Sequence, residues 1–357
     1  MGYFDRHLGS DESLFRNEDS LDLEWLPKTI PFRENQQQAI ASAIMPLLSK
    51  RNGKNLFVYG DPGIGKTAAA RWILRDLEET TDEVDPVYIN CWQKNTSYKV
   101  FVEICHVLGY KFTQNKNTEE IFTIIKNLVN KKSAVFVFDE IDKIEEFDFL
   151  YSILNDIYKK SVVLITNYKE WLSRLETRVR SRLMPEMLEF PKYTEVEIRE
   201  ILKQRAEFAF VPGAWSDDLL AQVAKKTMAH GDIRAGIFLL REAGLAAEEL
   251  GSKKIGPEHV NMTFAKLDEQ GIHKPTDLDE DSRFVLDVVK NHSPKKIGEL
   301  FTAYKEGGGG GTYKTFQRKI AKLEKAKLVS TNKIVGGTEG TTTIVSFGAP
   351  KKLTDFE

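Results

Sequence analysis

Gly60-Asp61-Pro62-Gly63-Ile64-Gly65-Lys66-Thr67 is the stretch whose reading decides the fold. It fits the pattern G-x-x-x-x-G-K-[ST], and its flanks fit too. Leu56–Tyr59 before it is a short apolar run of the kind a buried strand requires, and residues 67–79 after it carry helical periodicity. A strand, a glycine loop and a helix start together make an anion cradle. Several backbone N–H groups turn inward, the glycines let the backbone come close, and the helix N-terminus adds its positive dipole. Residues Gly60 to Thr67, with Ala68 behind them, are therefore expected to hold the phosphates of ATP or ADP. Lys66 would reach the β- and γ-phosphates, and the Thr67 hydroxyl would help hold Mg²⁺.

Downstream, Val135-Phe136-Val137-Phe138-Asp139-Glu140 is a second buried strand ending in two carboxylates. Asp139 would bind magnesium, through water, and Glu140 would polarise the attacking water. Acidic pairs end many strands, so the reading gains its force from the phosphate loop upstream. The next strand ends Leu164-Ile165-Thr166-Asn167. Asparagine at a strand end is often only a turn former. In this order of motifs its amide suits a sensor that orients water at the γ-phosphate. Arg178-Val179-Arg180-Ser181-Arg182 offers an arginine finger, acting in cis or on a neighbouring copy, or else a solvated basic turn. Asp232-Ile233-Arg234 opens a later helix, from which Arg234 could reach the γ-phosphate.

The wider chain supports an α/β reading. Its 357 residues suffice for two or three packed units, and 41% hydrophobic with 29% charged residues is a globular composition. Short apolar runs at residues 56–59, 87–90, 134–138 and 162–166 alternate with helical patterns, which implies a parallel sheet covered on both faces. Residues 1–25 are acidic and poorly patterned, an expected flexible arm. From Thr194 the pattern is helical only, with Thr194 and Ser216 as expected N-caps. These changes divide the chain into a nucleotide-binding domain over 26–192, a helical lid over 193–270, a linker over 271–281 (GIHKPTDLDE and one residue more) and a distinct tail over 282–357. Cys91 and Cys105 are in no metal-ligand spacing, and neither are the six histidines. No apolar run nears the roughly 18 residues of a membrane helix, and the first residues carry no leader pattern, so a cytoplasmic, nucleoid-associated place is expected.

The tail reads as three helices followed by strands at 328–334 and 341–347, with Gly336, Gly337 and Gly340 between them, the plan of a winged helix. The run Gly307–Gly311 reads as a loop without preferred conformation. Net charge is −2 overall, yet the tail beyond Phe284 holds 13 lysines and arginines against 7 acidic residues. Its residues 312–323, TYKTFQRKIAKL, read as a recognition helix. Tyr313, Phe316, Ile320 and Leu323 fall at core spacing. Lys314, Thr315, Gln317, Arg318, Lys319 and Lys322 would face outward, towards phosphates and base edges of duplex DNA. A lysine-rich helix of a protein-binding winged helix looks the same.

These residues together resemble the archaeal replication initiators related to the origin recognition complex and the cell-division-cycle loader proteins, an AAA+ family. The resemblance runs from about Leu26 to the tail. Its carriers are Pro31-Phe32-Arg33-Glu34, Tyr88-Ile89-Asn90-Cys91 ahead of a helical insertion, Phe138-Asp139-Glu140-Ile141-Asp142, Ile165-Thr166-Asn167, Arg178-Val179-Arg180-Ser181-Arg182-Leu183 and Phe190-Pro191-Lys192-Tyr193. The likeness implies that Tyr193 and Arg205 line the nucleotide pocket and that Arg234 is the second sensor. It also implies that Arg182, with Arg178 as competitor, is the finger, and that Tyr98 and Lys99 near the insertion give a second DNA contact. It implies an ATPase of slow turnover on origin DNA, partnered by the replicative helicase and by other initiator copies. The chain departs from the family at the wing, Ile334-Val335-Gly336-Gly337-Thr338-Glu339-Gly340, which lacks the usual arginines, and at Ile153-Leu154-Asn155-Asp156. A remodelling ATPase whose winged helix grips protein is the alternative; a metabolic kinase fits the all-helical lid and the tail poorly.

Overall fold

The computed structural model describes residues 13–270, 280–325, 328–334 and 342–347. The chain forms two compact units that part between Val260 and Asn261. That point lies inside a helix, Pro257–Gln270, ahead of the expected linker. Residues 271–279 of that linker lie outside the described residues.

The first unit is built on β1 (Leu56–Tyr59), β2 (Val84–Asn90), β3 (Ser133–Asp139), β4 (Lys160–Thr166) and β5 (Glu186–Glu189). They form one parallel sheet in the order β2-β3-β4-β1-β5. Alternation along β3 shows why two cores form. Phe136 and Phe138 enter one apolar cluster, while Val135 and Val137 enter the other. Helices α1 (Glu34–Ile44) and α2 (Lys66–Thr80) lie on the Val137 side. On the other lie the insertion pair α3 (Ser97–Val107) and α4 (Thr118–Val129), then α5 (Asp148–Asp156) and α6 (Thr177–Leu183). Phe101 stacks on Phe122, ring centroids 4.9 Å apart, to join the insertion pair. β2 is longer than its apolar run suggested and contains Pro86, which an edge strand tolerates because one side needs no N–H. β5 carries no sequence signal at all. Glu186-Met187-Leu188-Glu189 is a largely exposed edge, so it never had to be apolar.

The lid consists of α7 (Glu195–Ala209), α8 (Asp217–His230), α9 (Ile233–Glu249) and the start of α10 (Pro257–Gln270). Its helix starts are those expected. Thr194 and Glu197 form a reciprocal capping box, and Ser216 accepts from the Leu219 N–H.

The arm expected to be flexible is not so from residue 13 onward. Leu14, Ser20 and Leu21 are buried, the Phe15 ring lies 4.7 Å from that of Phe210, and the N–H groups of Arg16 and Asn17 donate to the Ala209 carbonyl. Three large apolar residues in an acidic stretch are enough to seat it as a strap on the lid. Three apolar residues over eight positions are too few to declare a period, so periodicity hid them.

The second unit holds α11 (Glu280–His292), β6 (Lys295–Lys296), α12 (Ile297–Glu306), α13 (Tyr313–Lys325), β7 (Val329–Ile334) and β8 (Thr342–Phe347). Its antiparallel sheet, ordered β6-β8-β7, completes the plan of a winged helix. The wing residues 335–341 lie outside the described residues. Phe316, Ile320 and Leu323 are buried as expected, but Tyr313 remains 40% exposed, its ring edge-on to Phe301 at the margin of the core. The glycine run is not featureless either. Tyr304, itself buried, lies over Gly309, and its Oη donates to Asp281 and accepts from the Gly311 N–H. A Cβ on Gly309 would overlap the tyrosine ring, whereas one on Gly310 meets open space. Gly309→Ala should therefore destabilise the second unit by about 1–3 kcal/mol. Amide exchange of α13 would be roughly 5- to 150-fold faster, while Gly310→Ala leaves it unchanged.

Candidate nucleotide site and nucleic-acid face

The phosphate loop leaves β1 and enters α2 at Gly65, the N-cap residue, whose φ of 89° is left-handed and suits glycine. Around it the sheet and the lid close a cleft. Gly63, Ile64, Gly65, Lys66, Thr67 and Ala68 line it together with Pro62. Asp139 at the end of β3, Glu140 just after it, Asn167 after β4, and Arg234 on α9 face the same space. Eleven expected contributors thus meet in one place.

The cradle is held from both sides. Lys66, buried, donates from Nζ to the carbonyls of Gly60 (2.8 Å) and Asp61 (2.7 Å) and to Asn167 Oδ1 (2.9 Å). The Thr67 hydroxyl donates to Asp139 Oδ2 at 2.6 Å, and the Tyr88 phenol donates to that same oxygen at 2.8 Å. Asp139 Oδ1 accepts the Glu140 N–H at 2.9 Å. Asp139 is 3% exposed, so these donors and not water are its hydrogen-bond partners. Thr67 and Asp139 are the hydroxyl and carboxylate oxygens a hard divalent cation takes, and the triphosphate itself would supply further oxygens. Among the described residues no three His, Cys, Asp or Glu side chains cluster to hold a metal by themselves.

The charges follow from burial. Desolvation lowers the Lys66 ammonium to about 8, with Arg234 pushing the same way and Asp139 opposing. Burial raises the Glu140 carboxyl, helped by the negative charges of Asp139 and Asp142. A carboxylate held above its usual range is a better proton acceptor than a solvated one, which suits the expected role of polarising water.

Tyr193 lines an apolar annex of the cleft with Gly65 and Ala68, and its ring stacks under the Arg33 guanidinium at 3.8 Å. Arg33 was legible only as part of a family segment. It is buried and ties the loop to the segment after β5, donating to the carbonyls of Ile64 (3.0 Å) and Pro191 (2.7 Å). Arg205 also lines the cleft, but its donors go to the strap, to the carbonyls of Ser20 (2.7 Å) and Trp25 (3.3 Å), with its guanidinium 4.5 Å from the Trp25 ring. Burial lowers it to about 10. Leu23, Trp25 and Leu26 thereby become walls of the cleft, which no motif announced. Arg178 and Arg182 stand apart from the cleft on the exposed face of α6. Arg178 pairs with Glu176 (2.6 Å) and Asp148 (3.0 Å), and both guanidinium groups lie over Tyr151.

In the second unit, Lys314, Gln317, Arg318 and Lys322 are exposed along α13, and Thr315 is half-buried near the helix start. Lys319 does not share their face. Its side chain is 16% exposed and pairs with Asp281 at 2.8 Å. Position 319 lies three residues after Phe316 and four before Leu323, so helical spacing puts it beside the core. In the first unit Tyr98 and Lys99 are both exposed at the start of α3, as a second contact would require.

A phosphate chain arriving at Lys66 would restore its proton affinity, because opposite charge favours the ammonium. Below pH 8 the lysine is already charged and nothing is gained. Between about 8 and 10.5 binding should take up a proton, and affinity should fall as pH rises through this window. Titration calorimetry of ADP at pH 8.5, in two buffers of different ionisation heat, would read that uptake directly; equal heats would contradict it.

The chain was compared with known proteins. Residues 49–175 match the AAA domain family, and residues 199–265 match the Cdc6 AAA+ ATPase-type lid domain. ORC1-type DNA replication protein 2 of Methanothermobacter thermautotrophicus is 32% identical, covering 94% of this chain and 92% of its own. ORC1-type DNA replication protein 1 of Sulfurisphaera tokodaii is 32% identical over 83% of this chain and 79% of its own. The solved structure of the Aeropyrum pernix ORC1 protein in complex with DNA superposes with a TM-score of 0.71 at 29% identity, covering 96% and 95% of the two chains. The Cdc6p structure from Pyrobaculum aerophilum shares the fold, with a TM-score of 0.65 at 21% identity. By sequence over nearly its whole length, and by the fold just described, this chain belongs to the archaeal ORC1-type DNA replication proteins, built on an AAA+ ATPase module.

Proposed function

We propose that this chain is an initiator that binds duplex DNA at a replication origin when ATP fills its cleft, and then recruits or loads the replicative helicase. The observation that carries this reading is the meeting of Asn167, from the sheet, and Arg234, from the lid, beside the phosphate loop. A γ-phosphate contacted from both sides would favour one lid angle, and its loss would release that bias. Bound Mg²⁺ would neutralise the developing charge on the β- and γ-oxygens. Thr67 and Asp139 would hold it, Glu140 would orient the attacking water, and Arg182, with Arg178 second, would complete the site of a neighbouring copy. Weak ATPase suits a switch, which must persist long enough to be read.

Exposed Lys314, Gln317 and Arg318 on α13 support duplex DNA as the partner of the winged helix. The related Aeropyrum pernix protein solved with DNA supports it as well. Such a protein works in the cytoplasm, at the chromosome.

Binding to random duplex at two salt concentrations tests the reading, since log K should fall with log salt by about 0.9 per phosphate contacted. Arg318→Ala should weaken binding by roughly 1–3 kcal/mol and flatten that slope by about one contact. Lys319→Ala should leave the slope unchanged and destabilise the winged helix instead. No duplex binding even at low salt would favour the winged helix as a grip on protein. Lys66→Ala should abolish ADP binding in a fluorescent-nucleotide titration; retained affinity would remove the phosphate loop from the account.

A further inference from the structure

Tyr88 belongs to none of the recognised nucleotide motifs, yet its phenol reaches into the centre of the site. On β2 it pairs in register with Val137, and Asn90 pairs with Asp139. Tyr88 and Asp139 are thus diagonal neighbours on the same face of the sheet, within reach of a long side chain. The Oη donates to Asp139 Oδ2 at 2.8 Å, the oxygen that also accepts from Thr67 at 2.6 Å. Its ring packs against the apolar cluster below α2, and the Arg71 guanidinium lies 5.8 Å above it. The hydroxyl is therefore anchored, with little freedom to point elsewhere.

A carboxylate that must present an oxygen lone pair to a hydrated cation gains from having its rotation fixed beforehand. Asp139 accepts from three donors on three segments: the Tyr88 hydroxyl, the Thr67 hydroxyl and the Glu140 N–H. Thr67 is itself a candidate ligand of the cation, and Glu140 belongs to the same strand end, so neither is an independent brace. Tyr88 is. We infer that Tyr88 is a positioning residue for the magnesium site, fixing the Asp139 carboxylate through Oδ2 so that nucleotide and cation bind together. The inference rests on Thr67 and Asp139 holding Mg²⁺.

Tyr88→Phe removes one oxygen and keeps the ring, so packing below α2 is retained. ADP affinity would be measured with fluorescent nucleotide in EDTA and across a Mg²⁺ titration, with thermal unfolding as the folding control. The expected result is Mg²⁺-free affinity within about twofold of the parent, and a half-saturating Mg²⁺ concentration roughly tenfold higher. An unchanged Mg²⁺ midpoint would overturn the inference. An equal loss of affinity with and without Mg²⁺ would overturn it too, since a general weakening of the site is a packing effect. Loss of Mg²⁺ dependence in the parent protein would sink the Thr67–Asp139 reading itself, and Tyr88 with it. Tyr88→Leu, which loses ring and hydroxyl together, should match Tyr88→Phe in its Mg²⁺ midpoint while melting lower; a midpoint shift only in Tyr88→Leu would assign the effect to packing.

Discussion

Where a side chain on Gly63 would stand, the carboxylate of Asp232 stands instead. That approach brings the first turn of α9 onto the phosphate loop, with the Ile233 N–H directed at the Gly63 carbonyl 3.4 Å away. Asp232 is also the N-cap of α9, accepting the Arg234 N–H at 2.8 Å. One residue therefore fixes the start of the lid helix and its seat on the loop. A Cβ at position 63 would displace the Asp232 carboxylate from this seat.

The same crowding governs the electrostatics. Asp139, Glu140 and Asp142 lie within a few residues, and burial makes each charge expensive without a partner. Lys66 answers part of that need, but it is desolvated as well and spends its three donors on two loop carbonyls and Asn167. The resting cleft is thus a set of polar groups satisfied by one another. A triphosphate would have to displace the Lys66 bonds and offer better ones, and in doing so it would free the Asn167 amide oxygen. On the proposed reading, occupancy and sensing are then the same event.

Sequence made legible what rests on burial over short distances. β1, β3 and β4 lie in the middle of the sheet, covered on both sides, so they had to be continuous apolar runs. The loop motif follows from phosphate geometry and reads the same in any such chain. β5 was hidden because an exposed edge need not be apolar, and the strap because its apolar residues are too few to declare a period. Arg205 was placed at the pocket by family likeness and Arg33 only within a family segment, yet what each bonds depends on carbonyls 31 to 185 residues away in the chain, which no local pattern encodes. Lys319 differs in kind. Its spacing from Phe316 and Leu323 already set it beside the core, and charge alone suggested otherwise.

Arg205 shows how the strap enters the function. Its guanidinium holds the Ser20 and Trp25 carbonyls from α7, so Trp25 and Leu26 form a wall of the cleft that is tied to the lid. Ordering that segment costs conformational entropy, offset by Leu14 and Leu21 in the core and Phe15 against Phe210. Arg178 and Arg182 of α6, by contrast, lie over Tyr151 on an exposed face, where they add nothing to this chain's own cleft. On the proposed reading the isolated chain then has every group needed to bind and sense a nucleotide, and lacks the positive charge that speeds its cleavage. Slow turnover follows from that division, and a neighbouring copy would control when the switch resets.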